Sequence, residues 1–231
     1  GASLWRRYAA VALLLAVVIG LGWWLRPVAV HAPIGERATV ALADGSTAEL
    51  NSGSRLVYRR ALFGWHPFGE GSRHVRLEGE AFFDVAAAEE PFAVTTFNSD
   101  ITALGTQFNV RAWSDTPDPS TNVVLTEGRL RVAARRGAER SAVMLQPGEM
   151  TQILADRPPA APTPAAVQKA LAWRTGGLRF TEAPLAGILA EVERRTGVSI
   201  EVASEAIRTA RLALFVEQFD RAETVLEMIA Q

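Results

Sequence analysis

The sequence predicts one N-terminal transmembrane helix, then an all-β twisted sandwich or solenoid-like motif, then a small α/β module of order β-α-β-β-α. Three observations carry this. Residues 8–25 form an uncharged apolar run, and residues 38–154 show short alternating runs broken by turn residues. Beyond residue 171 the apolar spacing shifts to threes and fours. The expected boundaries are a helix over 5–26, a β domain over 36–155, a Pro/Ala-rich linker over 156–168 and the module over 169–231.

The first run is Tyr8 to Leu25, eighteen residues. At ~1.5 Å per residue it reaches ~27 Å, near the hydrocarbon thickness of a bilayer. Arg6 and Arg7 precede it and Trp23, Trp24 and Arg26 end it, where snorkelling cations and interfacial aromatics belong. It is apolar all round, unlike a surface helix of a globular core. It exceeds the ~7–15 residues of a signal-peptide core, and Val30-His31-Ala32 is a poor processing site, although Arg6-Arg7 resembles an export signal. The expectation is an uncleaved single span with a cytoplasmic N-terminus.

The chain of 231 residues carries a net charge of −1, and setting aside the three Arg of the first 27 residues leaves −4. A mildly acidic domain is unsuited to wrapping phosphates, so nucleic acid is not an expected partner. With no cysteine, disulfides and thiolate sites are excluded. His31, His66 and His74 have no metal-ligand spacing, and no metal or cofactor is expected.

In the β region, Ala38–Leu42 and Thr47–Leu50 flank Asp44-Gly45-Ser46, a hairpin signal, and Asn51–Ser54 is the next turn. Further strands are expected at His74–Leu77, Glu80–Val85, Phe92–Phe97, Ile101–Leu104, Thr106–Trp113, Val123–Thr126, Leu130–Val132, Ala142–Leu145 and Met150–Leu154. In Glu80–Val85 alternation puts Glu80, Phe82 and Asp84 on one face; with Glu89 and Glu90 they read as a solvated acidic face.

Past the linker, Leu185, Ile188, Leu189 and Val192 make one helical stripe, with Thr181 as N-cap, Pro184 in the first turn and Gly197 as stop. Val198–Val202 and Arg211–Val216 read as strands. Asp220 to Glu223 reads as a capping box opening a last helix, which reaches Gln231 without a stop signal, so the module reads as cut short.

Five segments in order, Leu42-Ala-Asp-Gly-Ser-Thr-Ala-Glu-Leu-Asn-Ser-Gly-Ser54, Leu77-Glu-Gly-Glu-Ala-Phe-Phe-Asp-Val85, Thr102-Ala-Leu-Gly-Thr-Gln-Phe-Asn-Val110, Thr126-Glu-Gly-Arg-Leu-Arg-Val132 and Leu145-Gln-Pro-Gly-Glu149, resemble the FecR family. These are inner-membrane sigma-factor regulators of bacterial cell-surface signalling. Leu171-Ala-Trp-Arg-Thr-Gly-Gly-Leu-Arg-Phe180, with the chain from there to Gln231, resembles the small secretin-and-TonB N-terminal (STN) module. The resemblance implies an anti-sigma factor with a periplasmic C-terminal region. It would relay a signal from the N-terminal signalling domain of a TonB-dependent transducer, as in iron-siderophore uptake, to an ECF sigma factor. Sigma binding is implied for a segment preceding the span, which this sequence does not include. Ala61–Gly71 is longer and more aromatic than the family pattern and reads as a contact loop or as a hydrophobic flap closing the β motif.

The resemblance also implies a cut. Members cleave themselves at a Gly-Thr bond in this motif, and Ala103–Phe108 matches it at Gly105 and Thr106. The Thr106 hydroxyl would attack the Gly105 carbonyl; a glycine bulge with Thr106 as an ordinary strand residue explains the same residues. No hydrolase motif is present, so no substrate turnover is expected. The expected partner strand is Arg211-Leu212-Ala213-Leu214-Phe215-Val216, with Leu212 and Leu214 facing the core and Arg211 and Phe215 available for contact. A membrane-tethered scaffolding or envelope-assembly protein is the rival reading.

Overall fold

The computed structural model describes residues 2–24, 26–59, 73–116, 119–135, 141–155, 157–202, 204–219 and 221–230. The expected loop or flap at 61–71 lies outside them. Helix α1 covers Ala2–Trp24. Among the described residues no helix is long and apolar enough to cross a membrane, which overturns the span expected over 5–26. Gly20 and Gly22 dilute the apolar character of its last turns.

The β region is one continuous 13-stranded sheet, curled into a half-barrel, and this corrects the expected sandwich or solenoid. Its strands are β1 (Val28–His31), β2 (Ala38–Ala41), β3 (Thr47–Leu50), β4 (Arg55–Tyr58), β5 (His74–Asp84), β6 (Phe92–Thr95), β7 (Ser99–Ala103), β8 (Gln107–Trp113), β9 (Ser120–Glu127), β10 (Leu130–Ala134), β11 (Ala142–Leu145), β12 (Glu149–Leu154) and β13 (Thr163–Pro164). The order along the main path is β11-β10-β7-β6-β5-β8-β9-β12-β13.

Strand β5 explains why the sheet does not split in two. The sequence pattern suggests separate strands at 74–77 and 80–85, yet the chain runs through without a turn. Its first half pairs with β4 and β6, its second with β3 and β8. Gly79 is the pivot, at φ +111, and a Cβ there would lie 2.5 Å from the Ser54 hydroxyl. Ser54 uses that space to bridge the bend, taking the Glu80 N–H at 2.9 Å and donating to the Glu80 carbonyl at 3.0 Å. The concave side is filled by Phe83, Phe92 and Phe108, with Phe83 stacked on Phe108 at 5.2 Å, and by Leu50, Leu77, Ile101 and Leu125.

The hairpin expected at Asp44-Gly45-Ser46 forms: Gly45 takes φ +84 and Ser46 N–H donates to Asp44 at 3.0 Å. The linker is zipped to the sheet by β13 against β12 and by Thr151, whose hydroxyl donates to the Ala160 carbonyl at 2.7 Å.

The C-terminal module contains α2 (Val167–Ala170), a 3₁₀ turn (Ala172–Thr175), β14 (Leu178–Pro184), α3 (Leu185–Thr196), α4 (Glu205–Thr209), β15 (Arg211–Val216) and α5 (Ala222–Ile229). The expected β-α-β-β-α order is corrected to β-α-α-β-α, for Val198–Val202 is not a strand. A strand needs a neighbour for its amides, and here the Ile200 N–H is instead taken by the Glu193 carboxylate at 2.7 Å. The stripe Leu185, Ile188, Leu189, Val192 is buried and Gly197 ends the helix at φ +73. Its N-cap is Pro184, not Thr181, and α5 is capped by Arg221 with no side-chain bond.

Candidate functional site

Along β5 the outward face changes character at Gly79. Arg76 and Glu78 are exposed, whereas Glu80 and Phe82, on the same face, are only 3% and 5% exposed. The C-terminal module covers them. This corrects the reading of Glu80 as part of a solvated face; Asp84, Glu89 and Glu90 are indeed exposed. The one cue in the sequence is Phe82, an apolar residue on a face otherwise polar.

The covered face is a hydrogen-bonded charge cluster. Glu80 accepts from Asn109 at 3.0 Å, Asn51 at 2.9 Å and Arg111 at 3.4 Å. Glu191, reaching in from α3, accepts from Asn51 at 3.1 Å, Arg111 at 3.1 Å, Arg194 at 3.2 Å and Arg195 at 2.9 Å. Asn51 and Arg111 therefore each bridge the two carboxylates. The Trp173 indole N–H donates to Asn109 at 3.0 Å, closing the network from the 3₁₀ turn. Asn51 belongs to the turn Asn51–Ser54, whose Ser52 hydroxyl donates to the Arg194 carbonyl at the end of α3.

Burial pushes the Glu80 carboxyl above its ordinary range; Arg111 opposes this and the neighbouring Glu191 charge adds to it. Burial acts on Glu191 in the same direction, but Arg111, Arg195 and Arg194 outweigh it and hold that carboxyl well below the usual range. Arg174 adds a further cation to the seam, and Arg194 makes a second contact there. Arg174 chelates Glu49 at 2.6 and 2.8 Å while lying 3.9 Å over Phe82, and Arg194 lies 4.1 Å over Trp113. A cleft of about 160 Å³ opens beside the cluster between the two units.

The other candidates lie apart from this seam. Gly105 and Thr106 form the turn between β7 and β8. Gly105 takes φ +59, the Thr106 carbonyl accepts the Val85 N–H at 2.9 Å, and the Thr106 hydroxyl is buried with no hydrogen-bond partner among the described residues. Gly128 packs against this peptide: a Cβ there would lie 2.7 Å from the Gly105 oxygen. Arg211–Val216 forms β15 as expected, paired among the described residues only with β14 in a two-stranded sheet. Leu212, Leu214 and Val216 face the module core, while Arg211, Ala213 and Phe215 are exposed. Arg179 lies 3.9 Å over the Phe215 ring.

A curled sheet thus carries a second unit sealed on its outer face, and this two-part arrangement is shared with known proteins. Residues 29–131 match the family described as FecR protein, in line with the motifs read there, and this matched stretch is the FecR-like domain. Two crystal structures from Parabacteroides distasonis ATCC 8503, each of a protein assigned as an anti-sigma factor, share the fold. One has a TM-score of 0.74 at 27% identity, covering 87% of this chain and 90% of that one. The other has a TM-score of 0.73 at 26% identity, covering 88% and 90%. The shared fold thus extends well past the FecR segment, into the C-terminal unit. No curated protein matches the chain.

Proposed function

We propose that this chain is an anti-sigma regulator whose C-terminal module receives a partner and passes that event to the FecR domain through the Glu80–Arg111–Glu191 seam. The observation that carries this reading is the fold shared with the assigned anti-sigma factors over both units. The proposed location is the periplasm, and the proposed input is the N-terminal signalling domain of a TonB-dependent transducer. An ECF sigma factor is the proposed output partner, reached through a segment outside this sequence. The activity is binding, not turnover.

The docking element is the edge of β15. It has one paired side, and its exposed residues alternate Arg211, Ala213, Phe215, as strand addition requires. Titrating the chain with a candidate signalling domain tests this. Ala213→Pro on the exposed edge and Phe215→Glu should each abolish binding while circular dichroism stays unchanged. Unaltered affinity in folded variants would rule this mode out.

A second reading, self-cleavage at Gly105-Thr106, is favoured by the buried, unpartnered Thr106 hydroxyl. Attack of that oxygen on the Gly105 carbonyl carbon would form an ester as the C–N bond breaks. The hydroxyl proton ends on the released Thr106 amine, and water then hydrolyses the ester to a Gly105 carboxylate. Mass spectrometry of purified protein should show a new N-terminus at Thr106 that Thr106→Ala removes. The same cut persisting in Thr106→Ala would point to an external protease.

A further inference from the structure

The cleft between the two units carries more positive charge than its own carboxylates neutralise. Its acidic lining is Glu80 and Glu191, and both are already matched: Glu80 by Arg111, Glu191 by Arg111, Arg194 and Arg195. Arg195 is further fixed by donating to the Gly177 carbonyl at 2.7 Å. That leaves Lys169, from α2, and Arg179, from β14, both lining the cleft without a carboxylate partner among the described residues. Burial disfavours the Lys169 ammonium, and the nearby Arg179 charge disfavours it further. Two neighbouring like charges on the lining of one cleft are a standing cost unless an anion joins them.

The remaining lining sets the shape of that anion. Ala170, Ala172, Phe180 and the Trp173 ring give the cleft an apolar wall. Its volume of about 160 Å³ is comparable to a cavity that accepts benzene. We propose that this cleft binds a small organic carboxylate with an apolar body, the carboxylate held by Lys169 and Arg179 and the body lying against Phe180 and Ala170. Such a ligand lies against both units, since Glu80 and Arg111 of the FecR-like domain line the same cleft. It therefore tightens the seam, a chemical input that adjoins the β15 edge, because Arg179 also lies 3.9 Å over the Phe215 ring.

Calorimetric titration of the intact chain with benzoate, and in parallel with inorganic phosphate, tests this. Benzoate should bind at one site and raise the melting midpoint. Lys169→Gln and Arg179→Gln should each weaken it about tenfold, the loss expected for one charge-assisted contact. Lys169→Arg, which keeps the charge, should retain binding, and without ligand Lys169→Gln should melt no lower than the parent, since it removes a like-charge neighbour of Arg179. Absence of benzoate binding up to about 10 mM, a concentration that detects even very weak affinity, overturns the proposal. So does benzoate affinity that ignores both substitutions. Phosphate binding as tightly as benzoate would overturn the apolar part of the assignment.

Discussion

Glu191 on α3 accepts a hydrogen bond from Arg111 on β8 at 3.1 Å, across 80 residues of sequence and across the boundary between the two units. Glu80 comes to the same guanidinium at 3.4 Å, so one arginine serves two buried carboxylates. Such a cluster gains little over a well-packed apolar seam, because desolvation offsets most of the attraction. What it adds is sensitivity: losing one member leaves the others charged and dry.

Removing Arg111 should therefore open the seam. Arg111→Met leaves both carboxylates short of their shared donor and should cost about 3–5 kcal/mol. Urea unfolding checks the magnitude, and faster proteolysis within residues 157–166 checks that docking is lost. A parental unfolding curve would show that the arginine does not hold the units together.

The two carboxylates should not be equivalent. Glu191 is held by three arginines, so Glu191→Gln leaves excess positive charge and should destabilise by about 1.5–3 kcal/mol, the range for hydrogen bonds to charged groups. Glu80 sits beside a like charge, and Glu80→Gln keeps an acceptor while removing the repulsion. It should be neutral or stabilising at pH 7. Equal losses in the two variants, measured by thermal unfolding, would contradict this.

Much of the β region is legible in the sequence because the alternation on one face of each strand reports the concave core directly: Val75, Leu77, Ala81 and Phe83 are all buried as their spacing requires. The charge cluster is not. Alternation gives two faces but not what covers the second, and Glu80 finds its cover far along the chain, in Glu191 of a separate unit. The strand expected at Val198–Val202 fails for a related reason: apolar alternation signals a strand only if a neighbouring strand exists, and here a side chain of α3 takes the amide. Arg55–Tyr58 forms a strand that the sequence reading does not assign.

Gly79 makes the bend testable. A methyl group at this position would meet Ser54 at 2.5–2.8 Å, and φ +111 is hostile to any L side chain. Gly79→Ala should cost about 2–4 kcal/mol, combining overpacking with backbone strain. Denaturant unfolding should reveal this as a lower midpoint. A change within about 0.5 kcal/mol, the range of ordinary surface substitutions, would show that the strand bends without help from this residue.

The same cluster sets an expectation for pH. Glu80 has its pKa raised by burial, against the pull of Arg111 and with the push of Glu191, above the ordinary 4.5. Its contribution is fully present below 4.5 and is lost as pH rises through the raised value, so acidifying from neutrality towards 4.5 should stabilise the protein. Glu191 behaves oppositely. Burial would raise its pKa, but its three arginines win, so its contribution is present above 4.5 and lost as pH falls towards the depressed value. Glu49, lowered by its bonds to Arg174, adds to that acid loss below 4.5. Asp44 does so below 3.8, because its bonds to Arg73 and Ser46 outweigh burial. The melting midpoint should therefore pass through a maximum between neutrality and 4.5 and fall on the acid side. Glu80→Gln should flatten the rise above 4.5 and leave the acid fall intact. A midpoint that declines steadily from pH 7 downward would mean that Glu80 is ionised in the folded seam, and a rise that survives Glu80→Gln would assign it to another group.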